Sequence, residues 1–402
     1  MLAVLATVGA LILSGCAPPQ SITFRGHGWG HGRGMGQWGA YGYAVDQGWS
    51  WSRIVDHFYG GTATSTLSTN PVLRVLMRAN HGRDLIVYQE RGHIVTSAGS
   101  PGAGSLAVRV ARLDDGRFTF YDGASCGGPW RTLKTVTAAE LVVAPTVRND
   151  DRSEMLQLCE ANGQRLLRGS LIAVHANATI ETVNRVDTEN QLRSVIAREM
   201  SPSWADAGGG RGFQALAAQA VAARSYVSAG DTRWGSFANT CDTIYCQTYS
   251  GVAYRANGSS TWSVYEDPRT DVAVAFTAGY IRRFPSGRVA ATEFAASSGG
   301  WTKGPTFTPV PDSGDATGPN PNHDWTVTLS ASTIEAAFDR RQGHDVGSLV
   351  GIDVLARDGN GADGGRATSV RANFSRESVL LSGVDVWLTL RLKSDWFTPT
   401  AN

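Results

Sequence analysis

Residues 192–206, LRSVIAREMSPSWAD, carry a helical period with one polar interruption. Leu192, Val195 and Ile196 fall at i, i+3 and i+4, which lines them along one helix face. The next position on that stripe is Glu199. The helix is expected to stop at Ser201-Pro202, because the residue before a proline avoids helical geometry. An apolar face and a helix C-terminus both favour the neutral form of a carboxyl group. A glutamic acid that keeps its proton is what general-acid catalysis requires.

The next helix, FQALAAQAVAARSYV over 213–227, has a stripe of Phe213, Leu216, Ala217, Ala220 and Val221 that reaches Arg224 one turn on. Two successive helices thus each point one charge inward, and the charges are opposite. Two readings stay open: a buried Glu–Arg ion pair that orients the helices, or a cleft acid with a neighbouring cation.

On either side the period changes. From Pro71 to Ala178, short alternating runs such as LRVLMRA, DLIVYQE, RFTFYDG and SLIAVHA are separated by Gly, Asp and Asn, and read as strands with tight turns. Residues 25–62 form a glycine-dense loop followed by two helical patterns, Trp38/Tyr41/Val45 and Trp51/Ile54/Val55/Phe58. Downstream, VAVAFTAGYIRRF and RVAATEFAAS read as strands and SASTIEAAFDRR as a helix. The end, SLVGIDVLARDGNGADGGRATSVRANF with GVDVWLTLRL, reads as a β-meander; its Gly-rich turn lacks a third calcium ligand at Ala362. The fold class is α+β, a helical centre embedded in a β-rich architecture. The chain is 42% hydrophobic and 18% charged over 402 residues, which describes a folded protein with a real core. A net charge of +1 supplies no field for nucleic acid, so that partner class is set aside.

The N-terminus reads MLAVLATVGALILSGC, an uncharged run too short to span a bilayer comfortably but suited to a signal peptide. Leu13-Ser14-Gly15-Cys16 resembles the lipobox of bacterial lipoproteins, which makes Cys16 the expected lipidation site and a lipid anchor the expected link to the membrane. No Lys or Arg precedes it, so a translation start further upstream, a plainly cleaved signal and an uncleaved anchor stand as alternatives. Outside the cytoplasm, the remaining Cys126, Cys159, Cys241 and Cys246 favour disulfides, and nearest-neighbour pairing is the simplest of three connectivities. A nucleophilic role for Cys126 is set aside on the same grounds.

LRSVIAREMSPSW, FQALAAQAVAARSYV, CDTIYCQTYSG, TAGYI and ATEFAASSGGWT together closely resemble the SpoIID/LytB family, named for the stage II sporulation protein D of bacteria. The resemblance covers roughly 167–302. GHGWGHGRGMGQWGAYGYA with IVDHFYGGT is similar to a second family signature, which lies near the C-terminus of better-known members and here comes first. The chain is expected to have five parts: a leader over 1–16, a Gly/His loop with short helices packing, as the resemblance implies, on the catalytic cleft over 17–70, a β-rich domain over 71–180, a SpoIID-like catalytic core over 181–305, and a β-rich C-terminal part of the same fold over 306–402. The resemblance to the family carries the activity: it implies a lytic transglycosylase that cuts peptidoglycan glycan strands without a cofactor, with Glu199 and Arg224 at the family's catalytic positions. The LytB half of the name implies the alternative of a non-catalytic, wall-binding enhancer of a cell-wall amidase.

Further expectations follow from the motifs. His27, His31, Gln37, Tyr226, Gln247, Tyr249, Ser297 and Ser298 are candidates to contact substrate; the bland reading for each is a tight loop or ordinary packing. Some members bind zinc near CQTY, but here no histidine precedes Cys241 within sixty residues, so a Cys241–Cys246 disulfide is expected and no metal site is assigned. Asp242 is the candidate second carboxylate should the chemistry be hydrolytic. The family's EMP motif is EMSP here, and Ala217 stands where some members carry lysine.

Overall fold

The computed structural model describes residues 18–402 except 177 and 231–233, so Cys16 and the apolar leader lie outside the described residues. The chain divides into two compact units, Gly32–Asn320 and a terminal unit formed by Met1–His31 with Pro321–Asn402.

The larger unit holds α1 (Gln37–Val45), α2 (Trp51–Phe58), α3 (Thr188–Glu199), α4 (Phe213–Ser228) and α5 (Pro268–Phe276). Its six-stranded sheet runs in the order Thr240–Cys241, Val72–Leu76, Thr179–Asp187, Ser170–Ala176, Glu140–Pro145, Ile94–Thr96. An eight-stranded sheet contains Leu85–Tyr88, Ala107–Arg112, Phe118–Gly123, Trp130–Val136, Leu156–Glu160 and Gly163–Leu167. Their alternating residues bury Val75, Val87, Val108, Phe120, Leu158 and Leu171 in one core with Leu192, Val195 and Ile196 of α3. A second core gathers α1, α2 and α4 around Tyr43, Ile54, Phe58, Leu216 and Val221.

In the terminal unit, Ser21–His27 is the central strand of an antiparallel sheet, between Asp324–Ser330 and Phe397–Ala401. A meander of Leu349–Arg357, Ala367–Phe374 and Ser378–Leu381 packs with α6 (Ala331–Gln342) and α7 (Gly383–Leu390) over Phe24, Phe338, Val370 and Phe397.

The α+β class stands as expected, and three elements differ from their sequence reading; of RVAATEFAAS only Phe294–Ala295 is strand. VAVAF belongs to α5, where the Asp267 side chain caps the Arg269 N–H and Pro268 opens the first turn. GVDVWLTL is α7, where Ser382 and Asp385 close a capping box that outweighs the strand-like alternation.

Candidate functional site

Glu199 is the last residue of α3. The strand Thr179–Asp187 runs directly into this helix, and the Asp187 side chain caps it by accepting the Asn190 N–H at 3.0 Å. At the other end Met200 is extended ahead of Ser201-Pro202, so sheet and proline fix both ends. The Glu199 side chain is half-buried, and its Oε1 accepts the backbone N–H of Thr248 at 2.7 Å. No described residue donates a hydrogen bond to Oε2.

Residues 247–250 form a strap across α3 and α4. Gln247 donates from Nε2 to the Ala223 carbonyl at 2.9 Å, and the Ser250 N–H donates to Ser194 Oγ at 3.1 Å. The Tyr249 hydroxyl donates to Asn184 Oδ1 at 2.7 Å, and full burial pushes its pKa up. Gln247 and Tyr249, singled out in the sequence as substrate contacts, are therefore buried with their polar groups bonded inside the protein.

Arg224 does not face Glu199. It is fully buried, and its guanidinium grips Glu189 in two bonds of 2.8 and 2.6 Å, with further bonds to the carbonyls of Val274 and Tyr280. Glu189 sits in the first turn of α3, ten residues before Glu199, or about 15 Å along the helix. Arg224, in the last part of α4, thus meets the first turn of α3. Both charges do lie on inward faces; the stripe reading left out the direction of the helices.

Ser297 and Ser298 are also buried. Asp315 accepts the Ser297 hydroxyl and the N–H groups of Ser298 and Gly299 at 2.8–3.0 Å, and Asp312 accepts the Ser298 hydroxyl at 2.7 Å. Asp312 also lies against the first turn of α1, which opens at the buried Gln37 and whose N-terminal partial charge favours a carboxylate. The SSGG segment is thus locked by two buried aspartates.

Tyr226 lines a cavity of about 450 Å³ with Tyr245, Thr240 and the ion pair of Arg33 with Glu293. His27 belongs to the terminal unit, where Nδ1 meets Asp324 Oδ1 at 2.6 Å and the ring packs on Trp396. His31 is half-buried in the same unit. Asp242 accepts the Arg78 N–H, and burial pushes its carboxyl above the usual carboxylate range. Cysteines 126 and 159, and 241 and 246, are joined as disulfides, which takes up both thiols of the CQTY region. Sequence reasoning missed Glu189, Asp312, Asp315 and the Thr248 N–H; only Glu189 had a signal, as the acidic residue of a first helical turn.

Residues 176–284, which contain α3, the strap, α4 and α5, match the stage II sporulation protein family, SpoIID. This segment is a SpoIID domain. An uncharacterised protein of Brachyspira hyodysenteriae is 31% identical over 137 residues, 33% of this chain and 32% of that protein. The chain thus spans about a third of the length of the curated relative that it matches. No solved structure matches it. The SpoIID domain associates the chain with cell-wall and sporulation proteins, and with two disulfides it points to an extracytoplasmic location. No helix among the described residues is long and apolar enough to cross a membrane.

Proposed function

We propose that this protein is an exported lytic transglycosylase, held to the membrane through lipidated Cys16, that cuts peptidoglycan between N-acetylmuramic acid and N-acetylglucosamine. The observation that carries the reading is Glu199 within the SpoIID domain: one carboxyl oxygen is fixed by Thr248 and the other is open for proton transfer. Glu199 donates its proton to the glycosidic oxygen as the C1–O bond breaks. The resulting carboxylate then takes the proton of the muramyl 6-hydroxyl, whose oxygen closes on C1 as a 1,6-anhydro ring. The proton is recovered and no water is consumed, so one carboxyl group serves where a hydrolase needs two. Arg224 acts through Glu189 as a positioning residue that holds α3 against α4. Tyr226, in its cavity, remains a candidate substrate contact.

The test is to digest intact peptidoglycan and peptide-stripped glycan strands with the protein and with Glu199→Gln, and to read the ends by mass spectrometry. Ends lighter than the hydrolytic product by one water, absent with Glu199→Gln, are expected. Undiminished turnover in Glu199→Gln would sink the assignment. Retained glycan binding with no cleavage of either substrate would favour the enhancer of a cell-wall amidase.

A further inference from the structure

Helix α1 has two faces. Toward the core it buries Ala40, Tyr43 and Ala44. Trp38 and Tyr41, three residues apart, stand on the other face and are half-exposed. The sequence stripe Trp38/Tyr41/Val45 is therefore not the side that anchors the helix; Ala40, Tyr43 and Ala44 do that.

Both rings meet Trp204, which lies in the 3-10 turn Pro202–Asp206 directly after α3. Ring centroids are 4.6 Å apart for Trp38 and Trp204, 4.8 Å for Tyr41 and Trp204, and 5.5 Å for Trp38 and Tyr41. The planes are inclined by 53–72°, so no ring stacks flat on another, and all three rings are half-exposed. Trp204 is five residues beyond Glu199, which limits their separation to about 18 Å even in a fully extended chain. Beside it, the exposed Ser201 and Ser203 present a hydrogen-bonded hydroxyl pair.

We infer that Trp38, Tyr41 and Trp204 form a platform on which pyranose rings of a glycan strand stack, leading the strand to Glu199. A pyranose offers an apolar C–H face to an aromatic ring and hydroxyls at its rim; half-exposed indoles flanked by serines match both. The N-acetylglucosamine units of such a strand are neutral, so they can stack on these rings without an ion pair. The inference rests on the proposed function for the identity of the ligand.

Its test reads binding rather than cleavage. The full chain carrying Glu199→Gln, so that nothing is turned over, is titrated with peptide-stripped glycan strands. Adding Trp38→Ala or Trp204→Ala should weaken binding about 3- to 10-fold each, whereas Trp204→Phe should keep most of it. Thermal melting is followed in parallel, because Trp204 borders the core. With Glu199 intact, the same substitutions should raise KM more than they lower kcat. Unchanged affinity in folded Trp38→Ala and Trp204→Ala overturns the platform, as does a parent chain that binds no glycan. Lost binding in these variants, in a protein that never cleaves, would sink the transglycosylase and leave the platform standing. Cleavage with unaltered binding would do the reverse.

Discussion

At the scale of single residues, the distinction is between carboxyl groups that hold structure and carboxyl groups that act. Asp312 and Asp315 are fully buried and bonded to the SSGG segment, and Glu189 is gripped by Arg224, whereas Glu199 has one anchored oxygen. Asp242 is a third kind: burial raises its pKa, so its charge costs stability. Between the unfolded value of about 3.9 and the higher folded one, the folded chain binds the extra proton. Stability from this group is therefore full below about pH 4 and lost as pH rises through the folded pKa. Asp242→Asn keeps an acceptor for the Arg78 N–H and carries no charge to lose. We expect its urea midpoint to match wild type at low pH and to exceed it at neutral pH. Cleavage should persist with anhydro ends, since a lone acid suffices; a folded but inactive Asp242→Asn would instead establish a second carboxylate and a hydrolase.

At the scale of elements, what was legible in the sequence is what depends on local period and caps. The apolar stripes of α3 and α4, the stop at Pro202 and the oddity of Glu199 could all be read there. The partner of Arg224 could not, because a stripe gives a face but not which ends of two helices meet. The same limit hid the role of the glycines in GMGQWGAYG. A Cβ on Gly39 would fall 2.2 Å from Asp312 Oδ2, and one on Gly42 would fall 2.0 Å from the Gly314 carbonyl oxygen. In a free helix Gly→Ala gains about 1 kcal/mol. Against an unyielding backbone, overpacking of about 1–3 kcal/mol wins. Gly42→Ala should therefore lower stability by about 2 kcal/mol in denaturant unfolding; a stabilised variant would mean that α1 does not rest on residues 312–314. Arg224→Ala strips a buried partner from Glu189 and should cost about 3 kcal/mol. Activity per folded molecule should survive if its part is to position α3, and loss of kcat without loss of stability would return it to the reacting atoms.

At the scale of the whole molecule, chain order and spatial order differ, and that is why the terminal unit was unreadable from local pattern. Ser21–His27 pairs with Asp324–Ser330 and Phe397–Ala401, partners about three hundred residues or more away, and no turn or spacing in the sequence announces such a closure. Two strands contributed by the far end of the chain thus depend on a segment beside the N-terminus. Phe24 is the test of that dependence. It is fully buried, lies opposite Val327 and Pro399, and sets its ring edge-on to Phe397 at 5.7 Å. Removing the ring leaves a cavity in the core that Phe24 shares with Phe338, Phe374 and Phe397, a loss of about 3–5 kcal/mol. A unit this small has little stability to spare. Phe24→Ala should therefore release hydrogen-exchange protection across Asp324–Ser330 and Phe397–Ala401 together, because both edges hang on one central strand. Protection lost from only one of them would mean that the other is held by the meander and α6 rather than by Ser21–His27.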